Sequence, residues 1–330
     1  MQSLSPKRPS KPPWLRVKLP SGPVCDHVKR LIQSKNLHTV CEEARCPNLG
    51  ECWGCGTATF LILGDSCTRS CRFCSVKHME RFPADHHGDF LLLCSPSGRY
   101  SANRQQIVDE QAREAQDLTD AVVAMNLKHV VVTSVTRDDL PGGGASAFVQ
   151  VINCVHVKAP GCTVEVLVPD FGGKRSSVAA VVQATPDIFG HNVETVPRLY
   201  PAVRPQARYR RSLSVLAVAK EIDPLVVTKS GFMVGLGENR EEVIEVMENL
   251  RTVNCDILTI GQYLCPGKEQ LPVVRYYEPE EFIAMKEVAL ELGFRWVESG
   301  PLVRSSYRAE AQAAALISGK KQRQRGISRP

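Results

Sequence analysis

The chain has 330 residues and a mass of 36.4 kDa, enough for one large α/β barrel or two ordinary domains with a substantial core. Hydrophobic residues make up 43% and charged residues 23%, and no apolar run approaches the ~18 residues a membrane-crossing helix requires, which excludes a helical membrane protein. The formal charge of +6 belongs to the ends. Residues 1–35 carry +7 and residues 318–330 carry +5, leaving about −6 on the body. No aromatic residue interleaves with the basic tail, so nucleic acid is not an expected partner.

Residues 1–57 are rich in Pro, Cys and Gly, with Pro12-Pro13-Trp14 opening an extended stretch and one helix near Cys25–Lys35. They read as an extension of the next unit, not as a domain. The first nine residues contain no apolar h-region, so a cytoplasmic location is expected, or a mitochondrial or plastid one if the source is eukaryotic.

From Thr59 onward, short β-branched runs alternate with amphipathic helices. Strands are predicted at Thr59–Leu63, Val130–Thr133, Val164–Val168, Asp187–His191, Val226–Lys229, Ile257–Ile260 and Arg295–Glu298. Helical faces recur at Leu118, Ala121, Val122 and Met125, at Val243, Val246, Met247 and Leu250, and at Phe282, Met285, Ala289 and Leu292. About six βα repeats imply a parallel sheet and suit a barrel or partial barrel better than a three-layer open sheet. Residues 79–116 break the rhythm and read as an inserted surface excursion. Within it His86 and His87 are adjacent, point apart in any regular element, and belong to a loop and not a metal site.

Chemistry in such barrels gathers at the C-terminal ends of the strands. Polar or Gly-containing sequences stand at those ends: Ser134–Asp139, Pro169–Gly173, Asn192–Thr195 and Ser230-Gly231. Together they suggest a ligand-binding mouth. Thr133, Ser134, Arg137, Asp138, Asn192, Glu194 and Lys229 are its candidate contacts.

Thirteen cysteines are the abnormal feature of the composition. An odd count without a secretory signal favours thiolates that bind metal in a reducing compartment over a disulfide framework. Seven are scattered (Cys25, Cys55, Cys94, Cys154, Cys162, Cys255 and Cys265) and are expected to pack as small hydrophobes. The other six form two sets. Cys67, Cys71 and Cys74 make a C-x3-C-x2-C set directly after the first predicted strand, while Cys41, Cys46 and Cys52 make a C-x4-C-x5-C set upstream. Three thiolates leave one iron of a four-iron cluster open to another ligand. A structural zinc, which wants four closed ligands, is the alternative.

The first set resembles the radical SAM superfamily, in which the open iron chelates S-adenosylmethionine. The second makes the resemblance specific. His38–Ala44, Cys46-Pro47-Asn48, Glu51-Cys52-Trp53, Lys11–Arg16, Gly56–Phe60, Thr133–Pro141, His191–Thr195, Tyr209–Leu213, Lys229–Glu238, Leu258–Leu264 and Gly300–Tyr307 together resemble the lipoyl synthase family. The match runs from 11 to 308 apart from the 79–116 excursion, where relatives carry an acidic, Pro-rich segment. Cys55 and Cys265 also depart from the family pattern.

The resemblance implies an α/β fold, the radical SAM partial (β/α)6 TIM-like barrel over residues 58–300, with two 4Fe-4S clusters and S-adenosylmethionine. It assigns Cys67, Cys71 and Cys74 to the radical site, and Cys41, Cys46 and Cys52 with Ser306 to an auxiliary cluster consumed as sulfur donor. By spacing alone, Ser305-Ser306 reads as a helix N-cap. The implied reaction inserts sulfur at C6 and C8 of an octanoyl chain on a lysine of a lipoyl carrier domain, such as an E2 subunit or the glycine-cleavage H protein. An electron donor such as ferredoxin or flavodoxin and an iron–sulfur carrier are the further partners implied. Biotin synthase and methylthiotransferase types also pair a radical SAM site with a second cluster, and a zinc-stapled nucleic-acid-binding module is the competing reading from another class. Residues 301–330 would form a C-terminal extension carrying Ser306 and the basic tail.

Overall fold

Eight strands form one sheet whose spatial order follows the chain. The computed structural model describes residues 10–17, 21–54, 57–79, 93–94, 100–101 and 104–317. The strands are β1 (His38–Thr39), β2 (Thr59–Ile62), β3 (His129–Ser134), β4 (Thr163–Leu167), β5 (Ile188–Gly190), β6 (Val227–Val234), β7 (Ile257–Gln262) and β8 (Trp296–Gly300). Only β1 runs antiparallel to its neighbour; β2 through β8 pair in parallel. The two ends of the parallel run, β2 and β8, are not neighbours in the sheet order, so the barrel is open on one side. The expected partial barrel is therefore the observed one, with a seventh parallel strand completing six crossovers.

Each crossover carries a helix: α4 (Arg104–Ala124), α5 (Ala145–Lys158), α6 (Arg175–Gln183), α7 (Tyr209–Ile222), α8 (Arg240–Thr252) and α9 (Pro279–Glu291). Their starts follow local chemistry. Asn239 and Glu242 form a reciprocal capping box at α8, and Glu278, Pro279 and Glu281 do the same work at α9. Outward residues such as Phe60, Val132, Val166 and Phe189 pack with the α4–α6 faces in a fully buried core. The inward-facing residues of β2, β3 and β4 share one interior, as the two-residue period requires.

Upstream, α1 (Pro23–Ser34) packs Cys25, Val28 and Ile32 into that core, followed by α2 (Val40–Glu43) and α3 (Leu49–Gly54). The extension thus shares the barrel's core. Downstream, the chain after β8 crosses the open side, and its last helix, 309–317, sets Ala313 and Ile317 against Ile188, Val227 and Ile257. These three residues lie at the N-terminal ends of their strands, so the C-terminal segment forms the barrel floor.

Two boundaries differ from the sequence reading. The excursion expected over 79–116 gives way to α4 at Arg104, whose buried face runs through Ile107, Gln111, Ala115 and Leu118. Buried Gln111 made that stretch look like surface. It is satisfied by Ser146, whose Oγ donates to Gln111 Oε1 at 3.2 Å. Strand β6 also continues through Ser230-Gly231, which the sequence suggested as a rim turn. A Cβ on residue 231 would sit 2.2 Å from Thr259 Oγ1, so glycine lets β6 and β7 stay in register up to Val234 and Gln262. His86, His87, Cys55, Cys94's side chain and the basic tail lie outside what is described.

Candidate active site

The C-terminal ends of the strands open into a cavity of about 660 Å³, within the size range of sites that enclose a small molecule. Cys67, Cys71 and Cys74 line it, and so do Cys46, Ser305 and Ser306. Cys41, buried, and Cys52 do not line it. One cysteine of the upstream set, Cys46, thus shares a space with all three of the downstream set.

The loop bearing Cys67, Cys71 and Cys74 is held by the rims of three strands. Thr68 donates both its N–H and its hydroxyl to Thr136 O at 2.9 Å. Arg69, 5% exposed, makes two bonds to Asp138 at 2.7 and 2.8 Å and a third to Asp170 at 2.6 Å. Burial pushes the Asp170 carboxyl up, but Arg69 outweighs it and holds the group down at about 2. Ser70 N–H donates to Gln206 Oε1 at 2.8 Å and Arg72 N–H to Val203 O at 2.9 Å. Gln270 Nε2 reaches Cys74 O at 3.2 Å. Such a loop presents its sulfurs in one fixed arrangement.

The upstream set is shaped by a helix ending. Thr39 caps α2 by accepting from Glu42 N–H at 3.3 Å, and Arg45 then turns into the left-handed region at φ 49°. That turn returns Cys46 N–H to Cys41 O at 3.0 Å, bringing the first two cysteines together. The C-terminal segment docks here: Asn48 Nδ2 donates to Leu302 O at 2.7 Å and Tyr307 Oη to Glu51 Oε1 at 3.2 Å. Ser306 Oγ accepts from Thr59 Oγ1 at 2.8 Å. Its hydroxyl turns to β2 and the cavity, so the helix-cap reading does not describe it.

Of the other rim candidates, Thr133, Ser134, Asn192 and Glu194 line the cavity. Ser134 Oγ and Asn192 Oδ1 are buried without a hydrogen-bond partner among the described residues, a state that calls for a polar ligand. Glu194 has φ 66°, a strained backbone for a glutamate. Burial raises its carboxyl, with Arg204, Asn192 and Arg304 pulling the other way.

Arg137, Asp138 and Lys229 do not line the cavity. Arg137, fully buried, clasps Asp139 at 2.7–3.1 Å, and Asp138 is committed to Arg69. Lys229 lies one layer down the barrel, paired at 2.8 Å with Glu165, because β6 runs on past it. The described contacts of these three residues are thus to the protein itself.

Sequence reasoning missed Arg69, Asp170, Arg204, Arg304 and Thr59. Arg204, 9% exposed, faces Cys71 and donates to Asn192 O at 3.2 Å. Arg304 lines the cavity between Cys46 and Glu194. Arg69, Thr59 and Arg304 sat inside quoted motifs and Asp170 in a quoted rim sequence, whereas no pattern marked Arg204. Cys25, Cys162 and Cys255 are buried as expected; Cys265 lines the cavity and donates its S–H to Gly267 O at 2.9 Å.

Burial pushes the Cys41 thiol up to about 11 and the Cys74 thiol to about 12, and raises Cys46 and Cys71 too. Metal binding must therefore displace protons from them. Among the described residues no three His, Cys, Asp or Glu side chains are gathered closely enough to hold a single ion. Soft thiols in two sets of three, with a serine hydroxyl on the cavity wall and orphaned polar atoms beside it, are chemically suited to iron–sulfur binding and a polar cofactor.

Comparison with known proteins agrees with this chemistry. Residues 61–250 match the radical SAM superfamily, and residues 2–46 match the N-terminal domain of lipoyl synthase of that family. A lipoyl synthase of Rubrobacter xylanophilus is 52% identical over 305 residues, covering 92% of this chain and 87% of its own. That of Koribacter versatilis is 50% identical over 311 residues, covering 94% of both chains. Among solved structures, methylornithine synthase is similar with a TM-score of 0.46 at 14% identity, over 72% of this chain and 69% of that one. With half its residues shared with these enzymes along nearly its whole length, the chain belongs to the lipoyl synthase family of radical SAM enzymes, which insert sulfur into an octanoylated carrier protein with the aid of an iron–sulfur cluster and S-adenosylmethionine.

Proposed function

We propose that the cavity holds both clusters of a lipoyl synthase, with the substrate chain between them. Cys67, Cys71 and Cys74 hold the cluster that binds S-adenosylmethionine; Cys41, Cys46, Cys52 and Ser306 hold the auxiliary one. When bound, these groups would supply the electron that cleaves S-adenosylmethionine, the radical chemistry that activates C6 and C8, and the sulfur inserted there.

The protein's own part is to orient and to exclude. Ser134 and Asn192 offer unpartnered polar atoms to the cofactor. Glu194 meets its cationic end, steadied by Arg204 and Arg304. Leu61, Phe73, Val135 and Leu167 give the octanoyl chain an apolar wall. The C-terminal segment closes the open side of the barrel and keeps water from a reactive radical. E2 subunits or the H protein deliver the chain, ferredoxin or flavodoxin the electrons, and an iron–sulfur carrier rebuilds the auxiliary cluster in the cytoplasm, or in a mitochondrion or plastid. No helix among the described residues is long and apolar enough to cross a membrane.

The observation that carries this reading is that Cys46 and Ser306 face the same cavity as Cys67, Cys71 and Cys74. Its test separates the two sets. Cys71→Ala is expected to abolish 5′-deoxyadenosine formation, whereas Cys46→Ala still forms it but transfers no sulfur. Loss of cofactor cleavage in a Cys46→Ala protein that retains its first cluster contradicts the division.

A further inference from the structure

The hydroxyl of Ser306 has one hydrogen-bond partner among the described residues, and it is the first residue of β2. Thr59 is 8% exposed and lines the cavity. Its Oγ1–H donates to Ser306 Oγ at 2.8 Å, while its backbone N–H is directed at the Cys41 sulfur. One residue therefore addresses two of the four groups assigned above to the auxiliary cluster, one through the main chain and one through the side chain.

The two ends of this bond are unequally held. Thr59 is registered against Val131 in the β2–β3 ladder, and its β-branched side chain is stiff about χ1. Ser306 lies in the turn at 305–308 between β8 and the last helix, outside any ladder. A serine oxygen binds iron as an anion, and a hydrogen bond donated to the charged form of a group favours that form. Donation to an anion is also stronger than donation to a neutral oxygen.

We propose that Thr59 is a positioning residue of the auxiliary cluster, whose hydroxyl aims Ser306 and stabilises its oxygen as an iron ligand. The proposal rests on the reading of Ser306 as that ligand. Partners of metal ligands at this remove are typically worth 10–100-fold in metal affinity.

The test uses the full chain carrying Cys67→Ala, Cys71→Ala and Cys74→Ala, so that the auxiliary set alone takes up iron on anaerobic reconstitution. Thr59→Val keeps the shape and the N–H toward Cys41 and removes only the hydroxyl, whereas Thr59→Ser keeps the hydroxyl. Two readouts are followed: the rate at which a ferrous chelator removes the first iron, and the Mössbauer signature of the oxygen-ligated site. Thr59→Val is expected to release that iron about tenfold faster and to lose the signature, with Thr59→Ser like the parent. Release at or below the parental rate in Thr59→Val overturns the proposal, as does faster release accompanied by earlier thermal unfolding of the iron-free chain. Ser306→Ala separates the two levels. If it speeds release and Thr59→Val does not, only the role of Thr59 falls. If it changes neither readout, Ser306 is not a ligand and both fall.

Discussion

Glu114 holds the turn that launches the loop bearing Cys67. Its carboxylate accepts Leu63 N–H at 3.0–3.1 Å and also takes the N–H of Gly64, where Leu63 has φ 70°. Burial, only partly offset by those N–H groups and Arg137, pushes its pKa from 4.5 up to about 7. The folded chain therefore binds more protons here than the unfolded one between those values. Stability linked to Glu114 is complete below about pH 4.5 and falls as pH rises toward 7, by at most about 3 kcal/mol. Glu114→Gln should flatten that slope; urea unfolding of the iron-free chain from pH 5 to 8 measures it, and an unchanged slope contradicts the assignment. His191 behaves oppositely: burial lowers it to about 4, so it is neutral at pH 7 and donates Nδ1–H to Val168 O at 2.8 Å.

Single elements are fitted to one another by close backbone approach. Gly261 of β7 lies beneath the C-terminal segment, where an added Cβ would stand 2.1 Å from Val303 O. Gly261→Ala should lift that segment from the strand, cost about 1–3 kcal/mol as an overpacked contact, and weaken the hold on Ser306. Thermal unfolding and iron retention check it; wild-type values in both would mean the segment is not seated on β7. At this scale the sequence was largely legible, because β-branched runs and helical faces are periodic. Strand β6 escaped because Ser230-Gly231 looks like a turn until the strand beside it is known. The start of α4 escaped because Gln111 is polar yet buried against a partner that lies 35 residues away. The grouping of six cysteines into two sets was legible because it is a matter of spacing along the chain alone. Arg204 and Asp170 were not, since their roles arise from loops that meet only in the folded barrel. The Lys229 pairing with Glu165 was hidden too, because Lys229 looks like a strand end while β6 runs on past it.

Over the whole molecule, the C-terminal segment joins the two ends of the barrel. At the mouth it brings Ser306 to Thr59, and at the floor its last helix covers Ile188, Val227 and Ile257 with Ala313 and Ile317. Ile317 is 4% exposed, and Ile317→Ala should lower stability by about 2–4 kcal/mol. Because floor and cavity lie at opposite strand ends, 5′-deoxyadenosine formation by the folded fraction should not change. Loss of that activity without loss of stability would show that the floor and the site are coupled. In the proposed function one cavity unites a radical-generating set with a sulfur-donating set. Mass spectrometry of an octanoyl-lysine peptide tests it most directly, after anaerobic incubation with the doubly loaded chain, S-adenosylmethionine and a reductant. A peptide carrying sulfur at both C6 and C8 is expected, formed without added sulfide. A peptide of unchanged mass, in a sample that has produced 5′-deoxyadenosine and holds about eight irons per chain, would contradict it.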